Sequence, residues 1–362
     1  MNQILVINPG STSTKIAWYC DDTMKWSENL EHDPSIIKQY SVIYDQLNMR
    51  STIVLDAIAR KGERIDSLSA VVSRGGLLGR VSAGAYEVND TMVEVLRKRP
   101  VNHHASNLGA AIALKIARQT GVKAYIYDPV TVDEMIDLVR ITGLKEVERF
   151  GQGHNLNMRA AALRLCREKK LDYQNVNLIV AHLGGGITLS LHSHGRIIDM
   201  ISDDEGAFSP ERAGEMPTYR LLDAVKKMHL DSSGIMKLLQ RGGGLTSWFG
   251  TSDTRVVERK ALVEGDQQAK LVYDAMALSV ARNVGKLAVV VDGSIDHIIL
   301  TGGIAFSQYF TSEITRRVQF IAPVTVLAGE NELEALAQGC LRVLRGEEQA
   351  HAFSEVDTPC ER

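Results

Sequence analysis

The residues best suited to chemistry lie in two glycine turns that repeat half a chain apart. The first, Asn8-Pro-Gly-Ser-Thr-Ser-Thr-Lys15, follows the apolar run Ile4–Ile7 and leads into a second strand ending near Trp18. The second, Gly184-Gly-Gly186, joins Leu178–Leu183 to a strand ending near Leu191. Gly10 and Gly184 correspond at an offset of 174 residues in a chain of 362. A third strand ends in Thr301-Gly-Gly303. Glycine turns expose backbone N–H groups that no side chain screens, which is what polyphosphate oxygens need. The Asn8 amide and the Ser11 and Ser13 hydroxyls add donors to phosphate, or ligands to a hydrated Mg²⁺. A Walker A loop is excluded, because GxxxxGK[ST] is absent and a strand follows the turn. One such turn alone also reads as a polar hairpin; three after three strands favour phosphate.

Two arginines stand beside turns. Arg74 precedes Gly75-Gly76, and Arg212 lies in Phe208-Ser-Pro-Glu-Arg-Ala-Gly214. A guanidinium fork suits a carboxylate or a phosphoryl group, although a lone arginine is also an ordinary solvated charge. His154 precedes a helix N-terminus, where an anion is welcome. In the pair His103-His104, one histidine is expected to contact phosphate or support a group that does. Asp128 ends a strand and Glu332 opens the last helix, positions that fit Mg²⁺ bound through water or simple dipole complementation.

The elements that must position these groups alternate. Helices are predicted over 41–60, 91–98, 107–120 and 156–169, with buried strands at 68–73, 85–88 and 124–127. The later part is more helical, over 219–228, 234–239 and a long segment striped by Val272, Met276, Val280, Val284 and Leu287. Strands at 297–303 and 324–327 flank a helix over 310–320. The last helix runs 331–345 with Asn331 and Glu334 in capping-box spacing, and the tail after Gly346 is expected to fray.

The chain is long for one core, so two domains are expected. A formal charge of −3 opposes a general nucleic-acid binder. Cys20, Cys166, Cys340 and Cys360 show no CxxC spacing, which argues against a zinc site or a disulfide framework. No stretch is apolar enough for a membrane span, and a strand begins within three residues of the N-terminus. These features read as a cytoplasmic protein.

Together the stretches Asn8–Lys15, Ser73-Arg-Gly-Gly76, His182-Leu-Gly-Gly-Gly186, Phe208–Gly214, Thr301-Gly-Gly303 and Glu330-Asn-Glu-Leu-Glu-Ala-Leu336 resemble the acetate and butyrate kinase family, with patterns like those of its butyrate branch. The resemblance runs from Ile4 to about Leu344. It implies an α/β, duplicated actin-like (RNase H-like) ATPase fold with two domains around a cleft. Residues 1–127 plus 334–362 would form the first domain, and residues 128–333 the second, nucleotide-holding one. It implies ATP/ADP and Mg²⁺ as cofactors, a short-chain carboxylic acid as substrate, and a homodimer or larger assembly.

Residue by residue, the resemblance assigns Asn8, Ser11 and Ser13 to the phosphate and metal region. Arg74 and Arg212 would hold the acid carboxylate and the transferring phosphoryl group. His154 would hydrogen-bond that group, with His103 and His182 as further phosphate-side histidines. Asp128 and Glu332 would be the Mg²⁺-associated carboxylates. Gly184, Gly185, Gly186, Asp253, Arg255, Gly302 and Gly303 would line the nucleotide site, and Gly153 and Pro210 the acyl pocket. Two departures stand out. Gly153 replaces a usual phenylalanine, which would widen or reshape the acyl pocket, and Gly303-Ile-Ala-Phe-Ser307 replaces the GIGEN turn of acetate kinases. A direct in-line transfer to the carboxylate is implied, since an ionised acid needs no general base. Acetate or propionate as acceptor, an actin-like or chaperone-like ATPase, and a phosphoanhydride hydrolase are the alternatives.

Overall fold

The computed structural model describes residues 1–354. The chain forms two compact units, one of residues 1–133 with the chain from Asn331 onward, the other Glu134–Glu330. These boundaries differ from 127/128 and 333/334, so Asp128 and Glu332 belong to the first unit. The end of the 334–362 segment, with Cys360, lies outside the described residues.

In the first unit β1 (Gln3–Pro9), β2 (Ser13–Cys20) and β3 (Thr23–Glu31) form an antiparallel meander. β4 (Ala70–Arg74) pairs in parallel with β1, and β6 (Lys123–Tyr127) in parallel with β4, while β5 (Ala85–Glu87) runs antiparallel to β6. Ile4–Ile7 and Ala70–Val72 are fully buried, as unbroken apolar runs must be when both sheet faces are covered. The alanine-rich helix Leu108–Thr120 covers β4 and β6 and stops at Gly121, whose φ of 74° is a left-handed C-cap.

The second unit repeats this order with β7 (Asn177–Leu183), β8 (Ile187–Ser193), β9 (Arg196–Ile201), β10 (His297–Gly302) and β11 (Val324–Ala328). Its sheet reads β9-β8-β7-β10-β11, matching β3-β2-β1-β4-β6 strand for strand. The duplication seen in the two turns therefore extends to the whole sheet. The helix Gln267–Ala288 lays Val272, Met276, Val280, Val284 and Leu287 on the core. In the first unit the chain closes with the helix Glu332–Leu344 and β12 (His351–Ala352), which pairs with β5.

Two expectations are corrected here. The helix predicted from Ser41 begins at Leu47, because Val42 is extended and Ile43–Gln46 winds as a 3₁₀ turn. The segment after Gly346 is anchored through Phe353. Glu348 accepts from Tyr127 Oη (2.6 Å) and Arg342 Nε (3.1 Å), and Phe353 is buried.

Buried histidines make stability depend on pH. Burial, reinforced by Arg50, holds the His32 imidazole down at about 4. Burial, with Arg159 behind it, holds His192 at about 3, between Tyr173 Oη (2.7 Å) and Ser190 Oγ (2.8 Å). The unfolded chain protonates both near the ordinary histidine pKa. Below about 6.5 it therefore binds more protons than the folded chain. Both contributions are complete above that value and are lost as pH falls toward 4 and 3. Urea midpoints should fall between about pH 7 and about pH 5.5, with a shallower fall in His192→Gln. Equal slopes in the two proteins would remove His192 from the account.

Candidate functional site

Parallel pairing brings the first-unit residues together. Ile7 is in register with Ser73, so Asn8 and Arg74 emerge side by side where β1 and β4 end. The helix Glu332–Leu344 buries Ala335, Leu336, Cys340 and Leu341, which directs its first residue to the same strand ends. Asn8 Nδ2 donates to Glu332 Oε2 (2.5 Å), and Arg74 Nη1 stands 3.2 Å from Glu332 Oε1. The capping box expected here does not form. Asn331 has φ −108° and ψ 49°, outside the extended region a cap needs, and its side chain accepts no N–H.

Gly109 lets its helix pack tightly on the end of β4. A Cβ on Gly109 would lie 2.2 Å from Ser73 Oγ and 2.6 Å from the Arg74 carbonyl oxygen. Asp128 follows β6, the strand next to Arg74. It is 2 % exposed, with φ 39°, and its Oδ1 accepts from Gly84 N–H (2.7 Å). Both neighbouring histidines, His103 and His104, are exposed. His104 caps the turn Ala105–Asn107 by accepting from Ser106 N–H at Nδ1 (3.2 Å), and partial desolvation, with Arg74 nearby, lowers its pKa. Ser11 is exposed and Ser13 half-buried on the β1–β2 turn.

In the second unit the histidines form a layer. The rings of His154 and His182 stack with centroids 3.8 Å apart and planes 11° from parallel. His154 precedes the helix Asn155–Lys169 and meets Thr188 Oγ1 through its backbone N–H (3.3 Å) and through Nδ1 (3.0 Å). Asn157, one turn into that helix, donates from Nδ2 to His182 Nδ1 (2.8 Å), which fixes the His182 proton on Nε2. That nitrogen is buried and lacks a hydrogen bond, although Glu330 Oε1 stands 3.2 Å away. A Cβ on Gly184 would come within 2.8 Å of it. A buried nitrogen beside a glycine turn, making no hydrogen bond among the described residues, fits an anionic oxygen.

Arg212 is held beside the same turn. Ser209 Oγ donates to the Gly185 carbonyl (2.7 Å) and accepts from Arg212 N–H (3.0 Å), so the loop is docked on β7–β8. The guanidinium donates from Nε to Asp203 (2.8 Å), and from Nη1 to Glu211 (3.4 Å) and the Gln240 carbonyl.

A cavity of about 740 Å³ lies in this unit, in the size range of small-molecule sites. Gly184, Gly185, Pro210 and Gly303 line it, with Arg255 and Phe306 among its other walls. Gly302, just before the cavity wall, lets β10 pack close on β7: at φ 91°, a Cβ there would strike the Leu183 carbonyl oxygen at 2.4 Å. Asp253 caps the helix Thr254–Leu262 and is held at about 2 by the Arg255 guanidinium. Arg255 lines the cavity, and Asp253 stands behind it. Gly186 faces Asp203 and His154, each within 3.6 Å of a Cβ built there.

At Gly153 a Cβ would lie 2.9 Å from Met200 Sδ, 3.3 Å from Thr188 Oγ1 and 3.4 Å from Met158 Cε, so methionines pack directly against this glycine. Sequence reasoning missed Arg50, Asn157, Asp203 and Glu330. Arg50 carried a signal, sharing a buried helix face with Val54, Ala57 and Ile58, and Glu330 opens the quoted stretch Glu330–Leu336.

Among the described residues, no three of His, Cys, Asp and Glu cluster to hold a metal, and no helix is long and apolar enough to cross a membrane. The sequence profile of the Acetokinase family matches residues 145–327. Butyrate kinase 2 of Clostridium acetobutylicum is 44% identical over 353 residues, covering 97% of this chain and 99% of that protein. A probable butyrate kinase of Coprothermobacter proteolyticus is 42% identical over 354 residues, covering 97% of this chain and 99% of that one. The crystal structure of Porphyromonas gingivalis acetate kinase matches with a TM-score of 0.80 over 95% of this chain and 100% of that one, at 18% identity. That likeness shows a shared fold, the actin-like ATPase type.

Proposed function

This chain belongs to the acetokinase family, and from that premise we propose that it reversibly transfers the γ-phosphoryl group of ATP to butyrate or a branched analogue. It is a kinase whose acceptor is a carboxylate. The observation carrying the butyrate assignment is full-length identity of 44% to a butyrate kinase. A nucleotide-sized cavity lined by Gly184, Gly185 and Gly303 supports ATP as the donor.

A carboxylate oxygen attacks the γ-phosphorus as the bond to the β-phosphate oxygen breaks, giving an acyl phosphate and ADP. The attacking acid is already ionised, so no proton moves. The obstacle is repulsion between two anions, and the chain's contribution is preorganised positive charge and N–H donors. Arg74 and Arg212 are assigned to the carboxylate and the transferring group, with Pro210 at the acyl chain. His154 and the Nε2–H of His182 are assigned to phosphoryl oxygens, together with Ser11, Ser13 and Asn8. Gly153 is assigned beside the acyl chain, and His103 to the phosphate side.

Magnesium would arrive with the nucleotide and neutralise phosphate charge. Glu332, partly exposed beside Asn8, offers carboxylate oxygens suited to it. Asp128, buried with Oδ1 on Gly84 N–H, suits a contact through water. Free thiols at Cys20, Cys166 and Cys340 suit the cytoplasm. A homodimer or larger assembly is proposed through the second unit. There the helices Thr218–Met228 and Ser232–Arg241 bury no residue and expose Tyr219, Leu222, Met228 and Met236.

The test is ADP formation from Mg-ATP with acids from acetate through valerate, trapping acyl phosphate with hydroxylamine. Hydroxamate should peak at butyrate or isobutyrate. A peak at acetate would replace the acceptor and keep the chemistry. ADP without trapped acyl group would replace the kinase with a hydrolase.

A further inference from the structure

Beneath the β1–β2 turn lies an arginine with no counter-ion among the described residues. Arg50, on the helix Leu47–Arg60, is 0 % exposed. Its Nη1 donates to the carbonyls of Gly10 (2.9 Å) and Ser13 (3.2 Å) and to Thr14 Oγ1 (3.1 Å). Nη2 donates to the Ser11 carbonyl (3.2 Å), and Nε to Gln46 Oε1 (3.0 Å). Every acceptor is neutral. Burial alone lowers its pKa to about 10. His32, which meets Thr14 Oγ1 at 2.8 Å, is itself held neutral.

Burying a guanidinium without a carboxylate is costly, and a turn could be closed more cheaply by the Gly10 N–H to Ser13 carbonyl bond (2.8 Å) already present. We propose that Arg50 is a positioning residue for phosphate: its fork draws three turn carbonyls inward, so that the turn presents hydroxyl donors outward, and its charge lies uncompensated beneath them. The geometry agrees. The inward carbonyls belong to Gly10, Ser11 and Ser13, while the Ser11 and Thr12 side chains are exposed. Exposed hydroxyl donors over a buried cation suit an anionic oxygen. Lysine keeps the charge but lacks the fork that reaches several acceptors at once.

The inference rests on the phosphate role proposed for Ser11 and Ser13. Its test compares Arg50→Gln, Arg50→Lys and the core control Val54→Ala, a buried neighbour on the same helix. Binding of a non-hydrolysable magnesium ATP analogue is measured by calorimetry, alongside KM for ATP and for butyrate. Arg50→Gln should weaken the analogue and raise KM for ATP by about tenfold or more, the scale of a lost charged hydrogen-bond set. KM for butyrate should stay within about twofold. Arg50→Lys should recover part of the loss, and Val54→Ala should lower the melting temperature without changing either nucleotide constant. Wild-type nucleotide affinity in folded Arg50→Gln would overturn the proposal, as would an equal loss in Val54→Ala. Should Arg50→Gln fail to fold, wild-type affinity in Arg50→Lys would overturn it. A wild-type protein that binds the analogue but forms no acyl phosphate would instead overturn the proposed reaction.

Discussion

Arg212→Ala is expected to lower kcat by about two orders of magnitude or more, the loss that follows removal of one preorganised donor from a developing charge. The loop around Arg212 is built to hold that side chain. Ser209 ties it to the Gly185 carbonyl, and Asp203 and Glu211 flank the guanidinium. Those carboxylates keep the fork oriented, and an arriving anion competes with them for the same N–H groups. The assay is hydroxamate formation at saturating ATP and butyrate. Arg212→Lys should remain near the alanine level, because an ammonium cannot reproduce the planar fork. The Gln240 carbonyl also loses a donor in the alanine variant, so the melting temperature is recorded with each rate. A folded Arg212→Ala enzyme with near-wild-type kcat would remove Arg212 from the transferring group. His154→Ala is expected to fall in the same range, and its ring stack on His182 makes that residue's nucleotide affinity a useful second reading.

Features carried by local pattern were legible in the sequence. The hairpins at Gly10 and Gly184 and the strand ending at Gly302 declared themselves as unbroken apolar runs stopped by glycine, and the topology repeats around them. β3 and β9 were not read. β3 is an edge strand dominated by polar residues, its buried position limited to Leu30, and nothing in such a run separates it from a loop. β9 is short and tied to its turn at Gly195. The anchored tail was unreadable for another reason. Glu348 is a surface residue by composition, and only Tyr127 and Arg342, brought by β6 and the last helix, make it a partner.

The site residues divide the same way. Arg74, Arg212 and His154 sit beside glycines or helix starts, where local chemistry marks them. Asn157 meets His182, 25 residues on, and Asp203 meets Arg212, nine residues on, and no spacing encodes either contact. The packing at Gly153 was likewise not legible: Met200 and Met158, 47 and 5 residues away along the chain, bring flexible side chains against it.

Arg74→Ala is expected to cost about two orders of magnitude in kcat as well, and its setting allows a sharper test than loss alone. Arg74 and Asn8 converge on one carboxylate, Glu332, through Nη1 (3.2 Å) and Nδ2 (2.5 Å). Both ion-pair partners are about a quarter exposed, so the pair by itself stabilises the fold little. Its value lies in holding the arginine where β4 ends. If Glu332 acts by orienting Arg74, Glu332→Gln keeps the Asn8 contact, weakens the hold on the guanidinium, and lowers kcat less than Arg74→Ala. Once Arg74 is absent, the glutamine substitution should add little, so the double variant should sit near Arg74→Ala. If Glu332 instead acts on magnesium independently of Arg74, the two losses multiply. Raising magnesium should then restore part of the Glu332→Gln rate and none of the Arg74→Ala rate. Rates across this four-enzyme cycle, each at two magnesium concentrations, separate an orienting carboxylate from a metal-binding one. A folded Arg74→Ala enzyme with near-wild-type kcat would show that the transferring group is held without it.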